Sequence, residues 1–430
     1  MAEYSEYKDS GIPWIGKIPS HWKIKPIRSF LSQSKELNED DNATLLTLSQ
    51  YKGVNIRNGN EDSAISAAES LIGYNVVHKG QFVMNIMLAW NGSYGVSDYD
   101  GVISPAYAIF NFKDNVCKAY YHYLWRTRAY QDAFKTRSKG IVDSRLRLYP
   151  QYFLPFYTSI PPKNEQEAIV AYLDKVTADI DKAIAAKERI IASLEERRKI
   201  IITHAVTRGI NPDAQMNDSG IDWLGEIPAH WESYPVRHFF DFRNGYTPSK
   251  ANNSFWTNGT IPWFRMEDIR KSGRFLEKAI QYITPSALNN SGTFEAGSYI
   301  LAICTASIGE HAMLIADSLA NQRFANLKIR KSLSDRTDAM FIFYYLYVLG
   351  QYCKDTANTT TFQYADMTQV KNFLVPLPSL DEQHEIVKYL EYNTKGIDTA
   401  IAQQKRLIEL LRERKNIIIN ETVTGKVKVI

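Results

Sequence analysis

Cysteine is scarce. Cys117, Cys304 and Cys353 are the three in 430 residues, odd in number and without CxxC spacing. That excludes a disulfide framework and a paired-cysteine zinc site, and leaves buried thiols as the ordinary reading. Long apolar runs are missing as well. The most apolar stretch, FIFYYLYVLG at 341–350, falls well short of the roughly 20 residues a bilayer requires. The N-terminal MAEYSEYKDSG has no cationic region followed by an apolar one. A cytoplasmic protein with no membrane association is expected. No charge of one sign dominates either. The net charge of +4 divides into +3 over residues 1–160, zero over 161–217 and 218–375, and +1 over 376–430. A chain coated in positive potential is thereby excluded, so affinity for nucleic acid must come from local patches or from a partner.

Catalytic signatures are also lacking. There is no GxGxxG, GxxxxGK[ST], HExxH or GxSxG. Asn211-Pro212 is followed by Asp213-Ala214 and not by the aromatic end of an amino-methyltransferase motif. The eight histidines are dispersed, and no paired carboxylates with a lysine suggest a nuclease centre. No metal site and no bound cofactor are expected of this chain.

What is present is repetition. DSGIPWIGKIPSHW at 9–22 returns as DSGIDWLGEIPAHW at 218–231, ten of fourteen positions identical. A second block, NEQEAIVAYLDKVTADIDKAIAAKERIIASLEERRKIIITHAVTRG at 164–209, aligns without gaps to 381–426. Each block follows prolines and opens with acidic residues, as a helix N-terminus prefers. Each reads as one helix of about 44 residues, roughly 65 Å long. Positions spaced alternately three and four apart are mainly apolar: Leu173, Val176, Ile180, Ala183, Lys187, Ile190 and Leu194, with Leu390, Asn393, Ile397, Ala400, Gln404, Leu407 and Leu411 in the second block. That is a coiled-coil seam.

The order is therefore globule (1–160), helix (161–209), linker (210–217), globule (218–375), helix (376–426) and a short tail (427–430). Runs such as TLLTLS, QFVMNIML, YAIFNF, SYILAIC and LKIRK read as short strands among a few helices, so the fold class is α+β. A linker of this length spans at most roughly 30 Å, which places the second globule at the far end of the first helix. The helices then pair as an antiparallel coiled coil in a near-circular, pseudo-twofold arrangement. Lys187 and Gln404, polar seam positions near the helix midpoints, meet at that axis or snorkel from the seam edge.

With phrase, helix and alternation assembled, the chain resembles the specificity subunit of type I restriction-modification systems, over essentially its whole length. The resemblance rests on the DSGIxWxGxIPxHW openings, the Glu-Gln helix starts, WNGSYGVSDYDGVISPAYAIF in the first globule, and GTIPWFRMEDI with ANQRFANLKI in the second. Ser159, where the second copy has Pro376, is a small departure. The resemblance implies a non-catalytic DNA reader with two target recognition domains, one for each half of a gapped site. It further implies long helices that set the gap and seat two adenine-methyltransferase subunits. Those partners would hold S-adenosylmethionine, and restriction and translocase subunits can join them. The competing reading is a pseudo-symmetric coiled-coil scaffold whose globules bind proteins, which the weak net charge supports.

Base reading of double-stranded DNA needs Arg, Lys, Asn and Gln at groove edges, with basic and hydroxyl groups on phosphates. In the first globule, the window 126–147 holds seven basic residues against two acidic ones and offers Arg137, Lys139, Arg145 and Arg147. YKGVNIRNG adds Lys52, Asn55 and Arg57, and WNGS adds Asn91 and Ser93; a plain turn role competes for these. In the second globule the candidates are Thr247, Ser249, Lys250, Arg265, Gln322, Arg323, Thr360, Thr361 and Gln363. The phrase tryptophans Trp14, Trp22, Trp223 and Trp231 are expected to pack each globule against the helices.

Overall fold

The computed structural model describes residues 3–50, 53–57, 70–113, 116–142, 145–358 and 363–429. The chain divides into two compact units, Met1–Lys187 with Arg406–Ile430, and Glu188–Lys405. Each unit is therefore one globule plus a stretch of both long helices, and the boundaries run through the helices instead of along their ends. Burial explains this. Ile169 and Leu173 of the first long helix are fully buried in the core of the first unit, as Ile386 and Leu390 of the second long helix are in the core of the second.

The long helices span Lys163–Arg208 (46 residues) and Leu380–Val423 (44 residues). In the first unit the early part of one lies beside the late part of the other, held by Lys415 Nζ at 2.7 Å from both carboxylate oxygens of Asp181. In the second unit Arg198 Nε stands 3.0 Å from Asp398 at the equivalent positions, 217 residues away in each case. The apolar stripe departs from the sequence expectation towards the helix middles. Ile190 and Leu407 are exposed, while Ile184, next to the expected Ala183, and Ile408, next to the expected Leu407, are buried. A straight α-helix of 3.6 residues per turn drifts about 20° per heptad from a strict seam, so the buried face moves to a neighbouring position.

Both globules are built on one plan. In the first, antiparallel strands lie in the order Leu31–Ser34, Tyr107–Phe112, Phe82–Asn85, Tyr94–Val96. In the second, the order Phe240–Asn244, Phe324–Ile329, Tyr299–Ala302, His311–Leu314 repeats it, and Phe275–Leu276 joins as an added parallel edge. A helix packs beneath each sheet, Lys118–Trp125 and Ala339–Asp355. The strand after each phrase pairs with the strand that enters the long helix: Lys23–Pro26 with Tyr157–Ile160, and Glu232–Pro235 with Leu374–Leu377. Ser159 and Pro376 hold the same place in these ladders, opposite Ile24 and Ser233, so the departure noted in the sequence leaves the frame intact.

Candidate nucleic-acid interface

The duplicated phrase builds a joint. Its DSG segment closes a turn in which Asp9 Oδ1 accepts the Gly11 N–H at 2.9 Å and Asp218 Oδ1 that of Gly220 at 3.0 Å. The chain then returns as a short strand, Lys17–Pro19 or Glu226–Pro228, and delivers His-Trp to the start of a long helix. Trp22 Nε1 donates to Glu165 Oε2 at 2.6 Å, and Trp231 Nε1 to Glu382 Oε1 at 3.0 Å. His21 and His230 bind the same carboxylates at 2.9 and 3.0 Å.

The next residue of each helix is a latch. Gln166 accepts the Cys117 N–H at 2.9 Å and donates to the Pro161 carbonyl, while Gln383 accepts the Asp338 N–H at 2.7 Å and donates to the Pro378 carbonyl. A buried glutamine thus fixes the start of the globule's own helix to the long helix. The far end of a long helix completes each joint with a glycine. A Cβ on Gly425 (φ +74°) would stand 2.5 Å from Pro19 and 2.9 Å from Trp22, and one on Gly209 (φ +75°) 3.2 Å from Trp231. Trp14 and Trp223 are placed differently: their rings meet Phe156 at 4.7 Å and Phe373 at 5.6 Å, within the globules. Lys187 and Gln404 are half-buried, each in its own unit.

With the frame accounted for, the loops that differ stand out. In the first globule the segment after Arg128–Arg137 folds back on itself through mutual backbone bonds between Lys139 and Arg147, both 2.8 Å. The Leu148 N–H donates to the Ile86 carbonyl at 2.9 Å, which ties this loop to the turn around 86–92. Gln50 Nε2 donates to the Asn91 carbonyl at 2.7 Å and brings in the hairpin Leu46–Ser49/Gly53–Ile56. Asn55, Arg57 and Asn91 are half-buried there, with Asn55 Nδ2 turned to the Gly53 carbonyl. Arg137 and Lys139 are exposed and lie over Phe156 and Tyr152 at 6.0 and 5.1 Å; Arg145 is exposed, and Arg147 half-buried. Ser93 departs from expectation. It is 3% exposed and its hydroxyl donates to Asn91 Oδ1, so it shapes the turn and presents nothing outward. Lys52 lies outside the described residues. Sequence reasoning missed Lys135 over the Trp90 ring at 5.0 Å, and the exposed Met87 and Leu88 of the same turn.

In the second globule the turn Asn321–Arg323 is a hub. The Asn321 N–H donates to the Phe264 carbonyl, the Ile303 N–H to the Arg323 carbonyl, and Thr247 Oγ1 to Gln322 Oε1. A further link runs from Thr305, whose N–H donates to the Gln363 carbonyl at 2.8 Å. Thr247, Gln322, Arg323 and Gln363 are thereby gathered, with Gln322, Arg323 and Gln363 exposed. Gly245 makes this possible, since a Cβ there would press to 2.2 Å on the Asn321 carbonyl. Arg265 is committed to structure: its N–H caps onto Asp268 at 2.7 Å and its guanidinium meets Glu267 at 2.8 Å. Ser249 and Lys250 are exposed, the Ser249 carbonyl accepting Trp256 Nε1. Thr360 and Thr361 lie outside the described residues. Thr305 was not singled out from sequence, yet it is a β-branched residue at φ +65°, a strained conformation costing about 1–3 kcal/mol. No local sequence pattern announces it. Among the described residues, no group of three or more His, Cys, Asp or Glu is placed to hold a metal ion, and no helix is long and apolar enough to cross a membrane.

Comparison with known proteins adds independent findings. Residues 228–410 match the family described as type I restriction modification DNA specificity domain. The chain is 40% identical over 183 residues to the EcoprrI specificity subunit of Escherichia coli, a match covering 41% of this chain and 43% of that protein. It is 22% identical over 360 residues to the MjaVIII specificity subunit of Methanocaldococcus jannaschii, covering 80% and 79%. A chain solved in work on complex assembly and conformational transition of the type I R-M system superposes with a TM-score of 0.65 at 16% identity, covering 95% of this chain and 99% of that one. At that identity the likeness speaks for the fold.

Proposed function

We infer, from residues 228–410 belonging to the type I restriction modification DNA specificity domain family and from the duplicated frame that carries them, that this chain is the DNA specificity subunit of a type I restriction-modification complex. It reads a bipartite, gapped site in double-stranded DNA and performs no catalytic step. Two methyltransferase subunits, seated on the long helices, hold S-adenosylmethionine and methylate adenines within the site; a restriction subunit, where one joins, cleaves. The complex works in the cytoplasm, where its DNA is.

One observation carries the reading. The two joints are alike residue for residue, Trp22–Glu165 and Trp231–Glu382, while the loops they position are unlike. A frame built twice with different exposed residues suits two readers of different half-sites. The exposed groups fit the chemistry: Gln322 and Gln363 present amides of the kind that pair with adenine edges, and Arg323 and Arg145 the forks that pair with guanine. With a net charge near zero in the second globule, affinity there depends on few contacts and on clamping by the methyltransferases.

The test is methylome sequencing of a host that expresses this chain with its methyltransferase partner. The expected result is adenine methylation at one asymmetric, gapped sequence. Exchange of residues 24–160 for those of another specificity subunit should change one half-site only, and a clean four-residue deletion in both long helices should change the gap. Methylation without a gapped site, or a change of both halves on exchange, overturns the reading. Retention of proteins but not of DNA by the purified complex would favour the scaffold instead.

A further inference from the structure

Within the first unit, the globule and the two long helices enclose a cleft of about 1040 Å³. Arg126 and Arg128 enter it from the globule, Arg412 and Lys415 from the second long helix, and Asp181 is the one carboxylate among its described lining residues. Lys415 takes both oxygens of Asp181 at 2.7 Å. Arg126 donates from Nη2 to the Tyr94 carbonyl at 2.9 Å, but its buried Nε has no hydrogen-bond partner. His122 adds no charge at neutral pH, because burial and the nearby Arg126 push it down to about 4. Arg128 also pairs with Asp132 at 3.0 Å, so four cations stand against two carboxylates, and the surplus in a concave space focuses positive potential there.

The second unit shows that the frame does not demand such a cleft. Counted from the residues that Gln166 and Gln383 latch, Cys117 and Asp338, Tyr123 corresponds to Tyr344, and their hydroxyls donate alike to Asp174 (2.7 Å) and Glu391 (2.6 Å). On the same count His122 corresponds to Phe343 and Arg126 to Tyr347. The position of His122 is thus taken by a buried ring, over which Arg274 lies at 5.8 Å, clamped by Glu391 at 2.6 Å and Asp398 at 3.9 Å. Asp174 and Asp181 of the first unit correspond to Glu391 and Asp398, so the difference lies in the side chains around them: His122 and Arg126 at the cleft, against Phe343, Tyr347 and an Arg274 held by both carboxylates. The rim supplies continuity. Gln50 and Gly92 border the cleft, and the Gln50 amide holds the Asn91 carbonyl, so the cleft adjoins the 86–92 turn of the candidate reading surface.

We propose that this cleft binds the sugar-phosphate backbone of the DNA beside the first half-site, with Arg126, Arg128, Arg412 and Lys415 facing phosphates. The proposal rests on the specificity-subunit reading. It assigns these side chains to affinity and not to sequence choice, since phosphate contacts position a protein on DNA without reading bases.

The experiment uses the full chain in complex with its methyltransferase subunits and a duplex carrying the methylated site. Binding is measured by fluorescence anisotropy between about 50 and 200 mM salt. Arg128→Gln and Arg412→Gln should each make the slope of log K against log salt shallower by about 0.9, because each lost phosphate contact releases one counterion fewer. The double variant should add the two effects, with the methylated sequence and the melting temperature unchanged. Lys182→Gln, on the first long helix and outside the cleft, should leave the slope alone. An unchanged slope in a folded Arg128→Gln/Arg412→Gln variant overturns the proposal, as does a changed recognition sequence. Saturable ATP or orthophosphate binding that these variants abolish, with the DNA slope intact, overturns it in favour of a small-anion site. If the wild-type complex methylates no gapped site, it is the specificity-subunit reading that fails.

Discussion

The indole N–H of Trp22 meets the Glu165 carboxylate at 2.6 Å, across 143 residues of sequence. Trp22 is fully buried and Glu165 is 6% exposed, so neither partner has water as an alternative. A hydrogen bond to a buried carboxylate is worth more than a neutral one, and removing its donor leaves an under-satisfied charge. Trp22→Phe should therefore lower the unfolding free energy by about 1.5–3 kcal/mol in urea denaturation. Trp231→Phe should cost less, because the Glu382 side chain is 20% exposed against 8% for Glu165. Neither should alter the methylated sequence; an altered sequence would place these tryptophans in the reading surface.

Two glycines of the second long helix region should respond with opposite signs. Gly425 has φ +74° and sits against Pro19 and Trp22, so Gly425→Ala must displace both and accept a strained backbone. Thermal melting should fall by several degrees. Gly396 lies inside Leu380–Val423 with nothing within 4 Å of a Cβ, and Gly396→Ala should stabilise by about 0.8–1 kcal/mol through helix propensity alone.

Acid should loosen the second unit through His311. Burial, opposed only in part by its contacts to the Gly309 and Phe343 carbonyls, pushes its imidazole down to about 4. The unfolded chain binds this proton at its ordinary value near 6.5, so between about pH 6.5 and 4 it holds more protons than the folded one. Stability from this group is complete above that window and is lost as pH falls through it. Urea midpoints measured across the window should decline, and His311→Asn should flatten the decline by up to one proton's worth of slope.

Reading and scaffold roles should separate within a few residues of each other. Arg323→Ala removes an exposed fork at the hub turn and should cost about 1–3 kcal/mol of discrimination at one position of one half-site. Ser93→Ala, by contrast, removes a hydroxyl bonded inside its own turn and should leave the methylated sequence unchanged while lowering stability by about 1 kcal/mol. Methylome sequencing and urea denaturation of the two variants check both.

Much of this molecule was determined by sequence alone. The long helices were legible because helical periodicity is local and repeats every few residues, and the two-part plan because the phrase and the helix block are each written twice. Glu165, Gln166, Glu382 and Gln383 could be seen to recur, but not why. Only tertiary structure decided that the glutamate receives a tryptophan from the phrase and the glutamine latches a globule helix, since those partners are dozens to hundreds of residues away. The same holds for the candidate reading surfaces. Thr247, Gln322, Arg323 and Gln363 lie in three separate segments, and long-range backbone pairing around Ile303 and Asn321 is what gathers them. Burial was hidden for a similar reason. Ser93 and Asn91 look equally available in WNGS, yet the fold buries one and leaves the other half-buried, because side chains of a folded turn are sorted by what packs beneath them and not by their polarity.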